Sequence, residues 1–385
     1  MMSSYFDFFC KNIESEEARN SDRIIGTCYS MCPEDEVKLR EVERLVHVLE
    51  VWGSERKLVK SYSRSAADSN MAVPHLLRPY SVLANTVQFL LFEITRRRDV
   101  PVSVVYDFVD DRLRAVRQDM TIQRLSPEEC VCLLEPMVRF YIYYSFQLSN
   151  LPLKDYDPVL NKKYLLECMK WYLYCCDTIA GSRGQLEQLS GFFSNLDLNS
   201  NTKTNKLTND RVLMESLYIV CNLDDFHPLY RYINQSKDLR REPKIRLAYD
   251  IAIANLQGNY VKVCRLLDKV CPLTYCALYT YLPRLQRRAL EVMSHAYNNK
   301  RLTVPTEVLV RWLRFADEHD AQAACAQYGL KVDGAAVRFD KTEFKSDAIL
   351  KISHLVNDNI KMENQSKNQK SKISIIDIFT YTSVK

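Results

Sequence analysis

Apolar residues recur along most of this chain at steps of three and four, the spacing of one face of an α-helix. After Pro33, residues Val42, Leu45, Val46, Leu49 and Trp52 fall at i, i+3, i+4, i+7 and i+10. That stripe predicts one amphipathic helix closed by Gly53. Proline suits a first helical position, where its missing N–H has no intrahelical partner. Glu34, Asp35 and Glu36 then place negative charge where the helix dipole favours it. The same grammar returns at Pro79, which opens a segment with Leu83, Val87, Leu90, Leu91 and Ile94 on one face. Pro101 precedes another carrying Val105, Phe108, Val109, Leu113 and Val116. Ser126-Pro127-Glu128-Glu129 reads as a cap, a proline and a capping-box glutamate in order. Asp157-Pro158 begins a helix rich in Tyr, Trp and Cys, predicted to stop at Gly181-Ser182-Arg183-Gly184. Residues 195–210 have the polar composition of a flexible connection. Helices are expected again from about Arg211 and after Pro243. In AYDIAIANLQGNY, residues 248–260, Gly258-Asn259 ends one helix before a second amphipathic one begins, the layout of a helix–turn–helix repeat unit. No strict period is visible, so the array is a degenerate solenoid.

The pattern changes toward the end. Pro283 to Asn298 reads as helix, Leu302-Thr303-Val304 as a short strand, Pro305 to Phe315 as helix with Val308, Leu309, Trp312 and Leu313 inward, and Asp317 to Tyr328 as helix. In LKVDGAAVRF, residues 330–339, Asp333-Gly334 predicts a two-residue type I′ turn. That register puts Leu330, Val332, Ala335, Val337 and Phe339 on one face, and Lys331, Ala336 and Arg338 on the other. The order helix–strand–helix–helix–hairpin is that of a winged helix. The fold class expected is therefore all-α: a helical-repeat (TPR/PCI-like) stack capped by a C-terminal winged helix with a small β-hairpin. The boundaries expected are an N-terminal extension at 1–23, a helical domain at 24–282, the cap at 283–345 and a flexible tail at 346–385. Within the tail, residues 359–373 are polar and lysine-rich, and the IIDIF that follows is a short docking segment or a frayed end.

Composition removes several function classes. Only 8 glycines occur in 385 residues, whereas phosphate-cradling loops and Rossmann turns need glycine for positive φ or close backbone approach. No GxGxxG, GxxxxGK[ST] or GxSxG is present. The 13 cysteines, an odd number, follow no repeating spacing; reduced thiols in cytosol or nucleus are expected. The start MMSSYFDFFCKNIESEE lacks a basic opening and a long apolar segment, so no signal peptide is predicted, and no membrane insertion either. A net charge of +5 is too mild to imply a nucleic-acid partner by itself.

Cys28 and Cys32 form a CxxxC, but a structural zinc site draws four ligands, usually as two close pairs. The next cysteines are Cys130 and Cys132. The pair is therefore read as packed thiols beside a helix start, with no metal and no cofactor expected. The six histidines lie far apart, and none sits in a catalytic motif, so no catalytic residue is assigned and the chain is read as not an enzyme.

Charge suggests two further surfaces. Arg284, Arg287 and Arg288 share one helical face, Lys300 and Arg301 follow, and Lys331 and Arg338 share the outer face of the hairpin. These residues form a phosphate-contacting surface or an ordinary solvated face; the residues alone leave both open. The helix before the wing, ADEHDAQAACAQYG, carries three acids and no Lys or Arg, so it would repel phosphate in a major groove. It suits docking against a partner, with Trp312 and Tyr328 as candidate contacts. In DDRLRAVRQD, Asp110 and Asp111 precede Arg114 and Arg117 by about one turn, which predicts local ion pairing, with an acidic peptide as the other reading.

Three strings together resemble one family. GTCYSMCPEDEVKLRE is similar to the first motif of the suppressor-of-actin-three/GANP family, on Gly26, Cys28, Met31, Cys32, Pro33 and Glu34. VKSYSRSAAD followed by LLRP resembles its second motif, on Tyr62, Ser63, Arg64, Ala66, Asp68, Arg78 and Pro79. YDFVDDRLRAVRQDMTIQ resembles its third, on Tyr106, Asp107, Phe108, Asp111, Arg112, Arg114 and Arg117. Asp110 departs from the pattern, since the family usually has an aromatic residue there. The resemblance covers about residues 24–340 and is closest to the short, single-domain subgroup. It implies a non-catalytic scaffold of a nuclear mRNA-export (TREX-two-like) assembly at nuclear pores. The partners implied are a PCI-domain subunit and a small acidic Sem-type protein, and winged helices are implied to present a basic surface to RNA. The short subgroup implies the alternative: a centrosome duplication and spindle assembly factor in mitosis, with centrosomal or spindle partners and a location on those structures.

Overall fold

The computed structural model describes residues 24–64, 72–193 and 210–347. Helix predominates among them, and the chain divides into two compact units. The predicted extension at 1–23, the loop at 195–210 save Asp210, and the tail from 348 on lie outside the described residues.

The first unit takes the described residues up to Tyr141 and those from Leu153 to Arg211. It holds α1 (Glu34–Val42), a minimal hairpin of β1 (Val51–Trp52) and β2 (Glu55–Arg56), α2 (Tyr80–Phe92), α3 (Val102–Gln123), most of α4 (Pro127–Gln147) and α5 (Pro158–Phe193). Prolines open the helices as expected. Pro33, Pro79 and Pro101 each stand at the N-cap, one place before the position predicted for Pro33. The capping box at α4 is made: Ser126 N–H donates to Glu129 Oε2 at 2.9 Å, and Glu129 N–H to Ser126 Oγ at 3.3 Å. The predicted inward faces of α2 and α3 are all buried.

Two expectations fail here. The stripe from Val42 to Trp52 is not one helix. Arg44 takes a left-handed φ of 57°, the Leu45 N–H turns back to Arg40 C=O at 2.7 Å, and α1 ends at Val42. Val42 and Leu45 are left 78% and 62% exposed, while Leu49 is buried. What breaks the helix is Glu50, whose carboxylate is drawn inward to collect N–H donors from His47 and Val59. The second failure is the stop at Gly181. α5 runs through it to Phe193, and Gly181 keeps a negative φ. A single glycine in a helix costs about 1 kcal/mol relative to alanine, too little to end one already six turns long.

The second unit takes Ile142–Pro152 and the described residues from Val212 on. It contains α6 (Arg211–Val220), α7 (His227–Asn234), α8 (Lys237–Arg241), α9 (Pro243–Leu256), α10 (Tyr260–Leu266) and α11 (Pro272–Tyr279). The short α7 and α8 were not foreseen. The α9–α10 pair turns where expected: Gly258 takes φ 68°, and Asn259 Oδ1 accepts from Lys262 N–H at 3.0 Å to cap α10. The unit closes with α12 (Leu282–Ala296), β3 (Val304–Pro305), α13 (Thr306–Leu313), α14 (Glu318–Gln327), β4 (Lys331–Asp333) and β5 (Ala336–Arg338). The three strands form an antiparallel sheet in the order β3-β5-β4. Its core gathers Leu290, Met293, Leu309, Leu313, Phe315, Leu330, Val337 and Phe339. Val308 and Trp312 are half-buried against it.

The hairpin register differs from the predicted one. Val332 pairs with Val337 and Asp333 with Ala336, so the turn residues are Gly334 and Ala335. Only Gly334 takes a positive φ, at 56°, which places glycine as a type II′ turn does rather than type I′. The cause lies in α13: Thr306 N–H donates to Ala335 C=O at 2.9 Å, with Thr306 Oγ1 adding a second bond at 3.1 Å. That pair fixes Ala335 in the turn, exposed rather than inward. Lys331 and Arg338 do share the outer face, directly opposite one another.

Candidate functional site: a buried polar network built from three motifs

The first motif enters as extended chain. Thr27 N–H donates to Pro74 C=O at 2.7 Å and Cys28 N–H to Leu77 C=O at 3.0 Å. Gly26 N–H reaches Gln123 Oε1 at 2.9 Å. A Cβ on Gly26 would stand 2.3 Å from Leu77 O and 2.8 Å from Gln123 Oε1, so close approach of two backbones is what demands glycine there. Cys28 and Cys32 are both buried. Burial, with Glu36 beside it, pushes the Cys32 thiol up to about 12. Such a thiol is neutral at physiological pH, and a neutral thiol is a poor nucleophile. Met31 contributes its carbonyl, which accepts from Lys60 N–H at 3.0 Å and from Arg78 Nη1 at 3.3 Å. Glu34 stays in solvent beside Lys38.

Two fully buried carboxylates organise the rest. Asp119 accepts from Lys60 Nζ at 2.7 Å and from Arg78 Nε at 2.7 Å. Lys60 also donates to Leu76 C=O at 2.6 Å. Glu50 accepts from Arg40 and, at 3.4 Å, from Arg112 Nη2. It also takes the backbone N–H groups of His47 and Val59, each at 3.0 Å. Gln123 closes the circuit, donating to Arg78 C=O at 2.8 Å while holding Gly26. Each buried anion thus meets two cations. Isolated burial of such charges is prohibitive; pairing with further hydrogen bonds makes it tolerable. Arg78 and Pro79 serve this network and the start of α2. Arg40, Glu50, Lys60, Asp119 and Gln123, its other members, were not singled out from the sequence. A signal did exist: Asp119 and Gln123 continue the apolar steps of α3 beyond Val116, where a charged or amide side chain must find buried partners.

The third motif also packs inward. Tyr106 Oη donates to Asn161 Oδ1 at 3.0 Å, and its ring lies parallel to Phe140, centroids 5.7 Å apart. Phe108 stacks on His47 at 4.7 Å, with the Arg112 guanidinium 4.5 Å from the Phe108 centroid. Burial, with Asp155 nearby, raises the Asp107 carboxyl above its ordinary value. Asp111 pairs with Arg112 and accepts from Tyr62 N–H at 3.2 Å. Ser63 C=O accepts from Gln118 Nε2 at 3.4 Å, and Arg64 is exposed. Ala66 and Asp68 lie outside the described residues.

The ion pairs predicted along α3 are not the ones made. Arg117 pairs with Glu167 of α5 at 3.2 Å. Arg114 lies between two tyrosine rings instead of against Asp110 or Asp111. Asp110 is buried and accepts from Tyr141 Oη at 2.8 Å. Burial pushes its carboxyl up to about 6, Asp111 adding to the rise and Tyr141, Arg117 and Arg114 opposing it. The folded value exceeds the unfolded one, so the stability this group contributes is full below about pH 4 and is lost as pH rises through 6, about 3 kcal/mol in all. Asp110→Asn is expected to abolish that loss. Urea unfolding should show the variant gaining on the parent between pH 4 and 7.5; a difference constant with pH would refute the assignment.

Several of the basic residues of the second unit are engaged by carboxylates. Arg284 pairs with Asp224 at 2.7 Å, Arg287 with Glu291 at 3.6 Å and Lys331 with Glu343 at 2.6 Å. Arg338 is half-buried. Arg288, Lys300 and Arg301 are exposed and meet no carboxylate among the described residues. Tyr328 is buried and stacks on Phe344 at 5.4 Å, so it serves the core rather than a docking face. Among the described residues no group of three or more His, Cys, Asp or Glu is placed to hold a metal ion, and no helix is long and apolar enough to cross a membrane.

A family model described as the SAC3/GANP family matches residues 31–334. Protein xmas of Drosophila melanogaster is 29% identical over 331 residues, covering 80% of this chain and 15% of that protein. SAC3 family protein B of Arabidopsis thaliana is 24% identical over 337 residues, 82% of this chain and 18% of its own length. SAC3 family protein 1 of Schizosaccharomyces pombe is 24% identical over 353 residues, 84% of this chain and 32% of its own length. The chain therefore spans less than a third of the length of each of these relatives.

Proposed function

The chain belongs to the SAC3/GANP family, and on that premise we propose that it is a non-enzymatic scaffold subunit of a nuclear mRNA-export assembly. The observation that carries this reading is the use made of the motif residues. Arg78, Arg112 and Asp119 are buried and paired, Arg112 with Glu50 from outside the motifs, which spends the motifs' polar chemistry on fixing a framework. A framework of that kind holds other proteins in place.

The closing elements of the second unit support a docking role. The order of α12, β3, α13, α14 and the β4–β5 hairpin, with β3 pairing β5, is read here as a winged helix, and the α9–α10 pair as a PCI-like helical repeat. The first turn of α14 carries Glu318 and Asp320, with Asp317 as its cap. Negative charge there disfavours a nucleic-acid groove and favours a basic protein surface. The proposed partners are a PCI-domain subunit and, with it, a small acidic Sem-type protein, at the nuclear side of the pore. Arg288, Lys300 and Arg301 are left to contribute a modest, salt-dependent attraction for RNA.

The test is purification of the tagged chain from its own cells with identification of stoichiometric partners by mass. A PCI-domain subunit with a small acidic protein is the expected result. Centriolar or tubulin-associated proteins in their place would overturn the export reading in favour of the spindle.

A further inference from the structure

Within the first unit, α3, α5 and the segment before residue 64 enclose a cleft of about 110 Å³ lined by Tyr62, Arg114, Arg117, Lys163, Tyr164 and Glu167. Its central feature is Arg114. The guanidinium carbon lies 3.9 Å from the Tyr62 ring centroid and 4.8 Å from that of Tyr164. Rings over an arginine hold the group by cation–π attraction, but they cover its faces and leave the in-plane N–H fork unused. Arg112 and Arg117, on the same helix, both have carboxylates. Arg114 hydrogen-bonds to nothing among the described residues. Among the described residues it is a ring-flanked fork without an anion.

The surroundings favour adding one. Arg117 gives Nη1 to Glu167 at 3.2 Å, while its Nε is buried without a hydrogen-bond partner. Lys163 is exposed at the rim, its Nζ 6.0 Å from the Tyr164 centroid. Among the described residues these three cations outnumber the carboxylates that act on them, Glu167 at the cleft and Asp110 beneath it, so the cleft keeps an excess of positive charge. Asp110, buried on Tyr141, acts on both arginines from the interior rather than from the cleft. A side-chain carboxylate or a phosphodiester brings one negative charge, whereas a phosphate monoester brings between about 1.5 and 2 at neutral pH. A water needs roughly 10–15 Å³ of such space, so the cleft has room for one tetrahedral oxyanion and a few waters, not for a nucleoside as well. Glu167 beside the arginines would also repel a run of phosphates, unlike the continuous basic groove that tracks a nucleic-acid backbone.

We propose that this cleft is a binding site for a phosphoserine or phosphothreonine side chain of a partner protein, with the Arg114 fork gripping the phosphate and Lys163 and Arg117 adding charge. The site lies outside the surfaces invoked for the export role and stands independently of that reading.

Calorimetric titration of the full chain with N-acetyl-O-phosphoserine amide tests it. Saturable binding is expected, weakened about tenfold in Arg114→Gln, the loss of one charge-assisted forked contact. Lys163→Met, at an exposed position, is expected to weaken it about three- to fivefold by removing one charge near the rim. Circular dichroism of both variants separates misfolding from lost contacts. Parental affinity in both variants, or no saturable heat from the parent, overturns the proposal. So does equal binding of N-acetylaspartate amide, which makes the cleft a carboxylate site, or equal binding of inorganic phosphate, which makes the protein carrier irrelevant. Tighter binding of a ten-nucleotide oligouridylate that is lost in Arg114→Gln overturns it in favour of a phosphodiester.

Discussion

Asp119→Ala is expected to destabilise the first unit by about 4 kcal/mol, because removing one partner of a buried ion pair leaves the other charge uncompensated. Here two cations are stranded. Among the described residues the Lys60 ammonium retains the Leu76 carbonyl, and the Arg78 guanidinium the Met31 carbonyl. Both lie among fully or nearly fully buried groups, where water cannot replace the lost carboxylate. Urea unfolding followed by circular dichroism measures the change, and a loss below about 1 kcal/mol would show that the network is an ornament of the fold rather than its fastening. A second variant sharpens the test. Combining Lys60→Met, Arg78→Met and Asp119→Leu removes all three charges together and should cost less than Asp119→Ala alone, since apolar replacement of a buried charge cluster is often close to neutral.

Gly26→Ala should cost about 3 kcal/mol, at the upper end of what overpacking brings. The added carbon would overlap a backbone carbonyl, Leu77 O at 2.3 Å, and a carbonyl cannot step aside as a side-chain tip can. Relief requires the first motif to lift away, weakening the Thr27–Pro74, Cys28–Leu77 and Gly26–Gln123 hydrogen bonds together. Gly181→Ala is the control. A Cβ there meets nothing within 4 Å, and alanine in a helix is favoured over glycine by about 1 kcal/mol. The same chemical change should therefore move the thermal midpoint in opposite directions at the two sites. A fall at both would mean that α5 is not continuous through Gly181.

Much of the helical order was legible because it depends on neighbours a few residues apart. Pro79, Pro101 and the Ser126–Glu129 box act within one turn, and their helices begin where the sequence says. The end of α1 was not legible. Val42 and Leu45 continue the apolar rhythm, and the partners that draw Glu50 inward, Arg40, the His47 and Val59 N–H groups and, sixty-two residues on, Arg112, are assembled only by the fold. The hairpin register failed for the same kind of reason: an Asp-Gly pair favours one turn, but Thr306 claims the Ala335 carbonyl from a helix earlier in the chain. The motif strings were recognisable as strings, yet spacing along α3 suggested that Arg114 and Arg117 would pair with Asp110 and Asp111. It could not reveal that Tyr62 and Tyr164 clamp the first and Glu167 takes the second. Asp119 and Gln123 were distant contacts with a local signal, polar side chains standing on an apolar stripe.

The reach of the Gly26–Gln123 hydrogen bond, which joins residues 97 apart, has a consequence for synthesis. A ribosome adds about 5–20 residues per second, so roughly 5–20 seconds separate the two ends of that bond. Through that interval the nascent segment from Gly26 to Lys60 carries Glu50 without Arg112 and Lys60 without Asp119. It has no finished surface on which to settle until α3 emerges. The segment from Gly26 to Lys60 is thus made well before the helix that fastens it, which makes the newborn polypeptide a client for whatever shields extended segments at the tunnel exit.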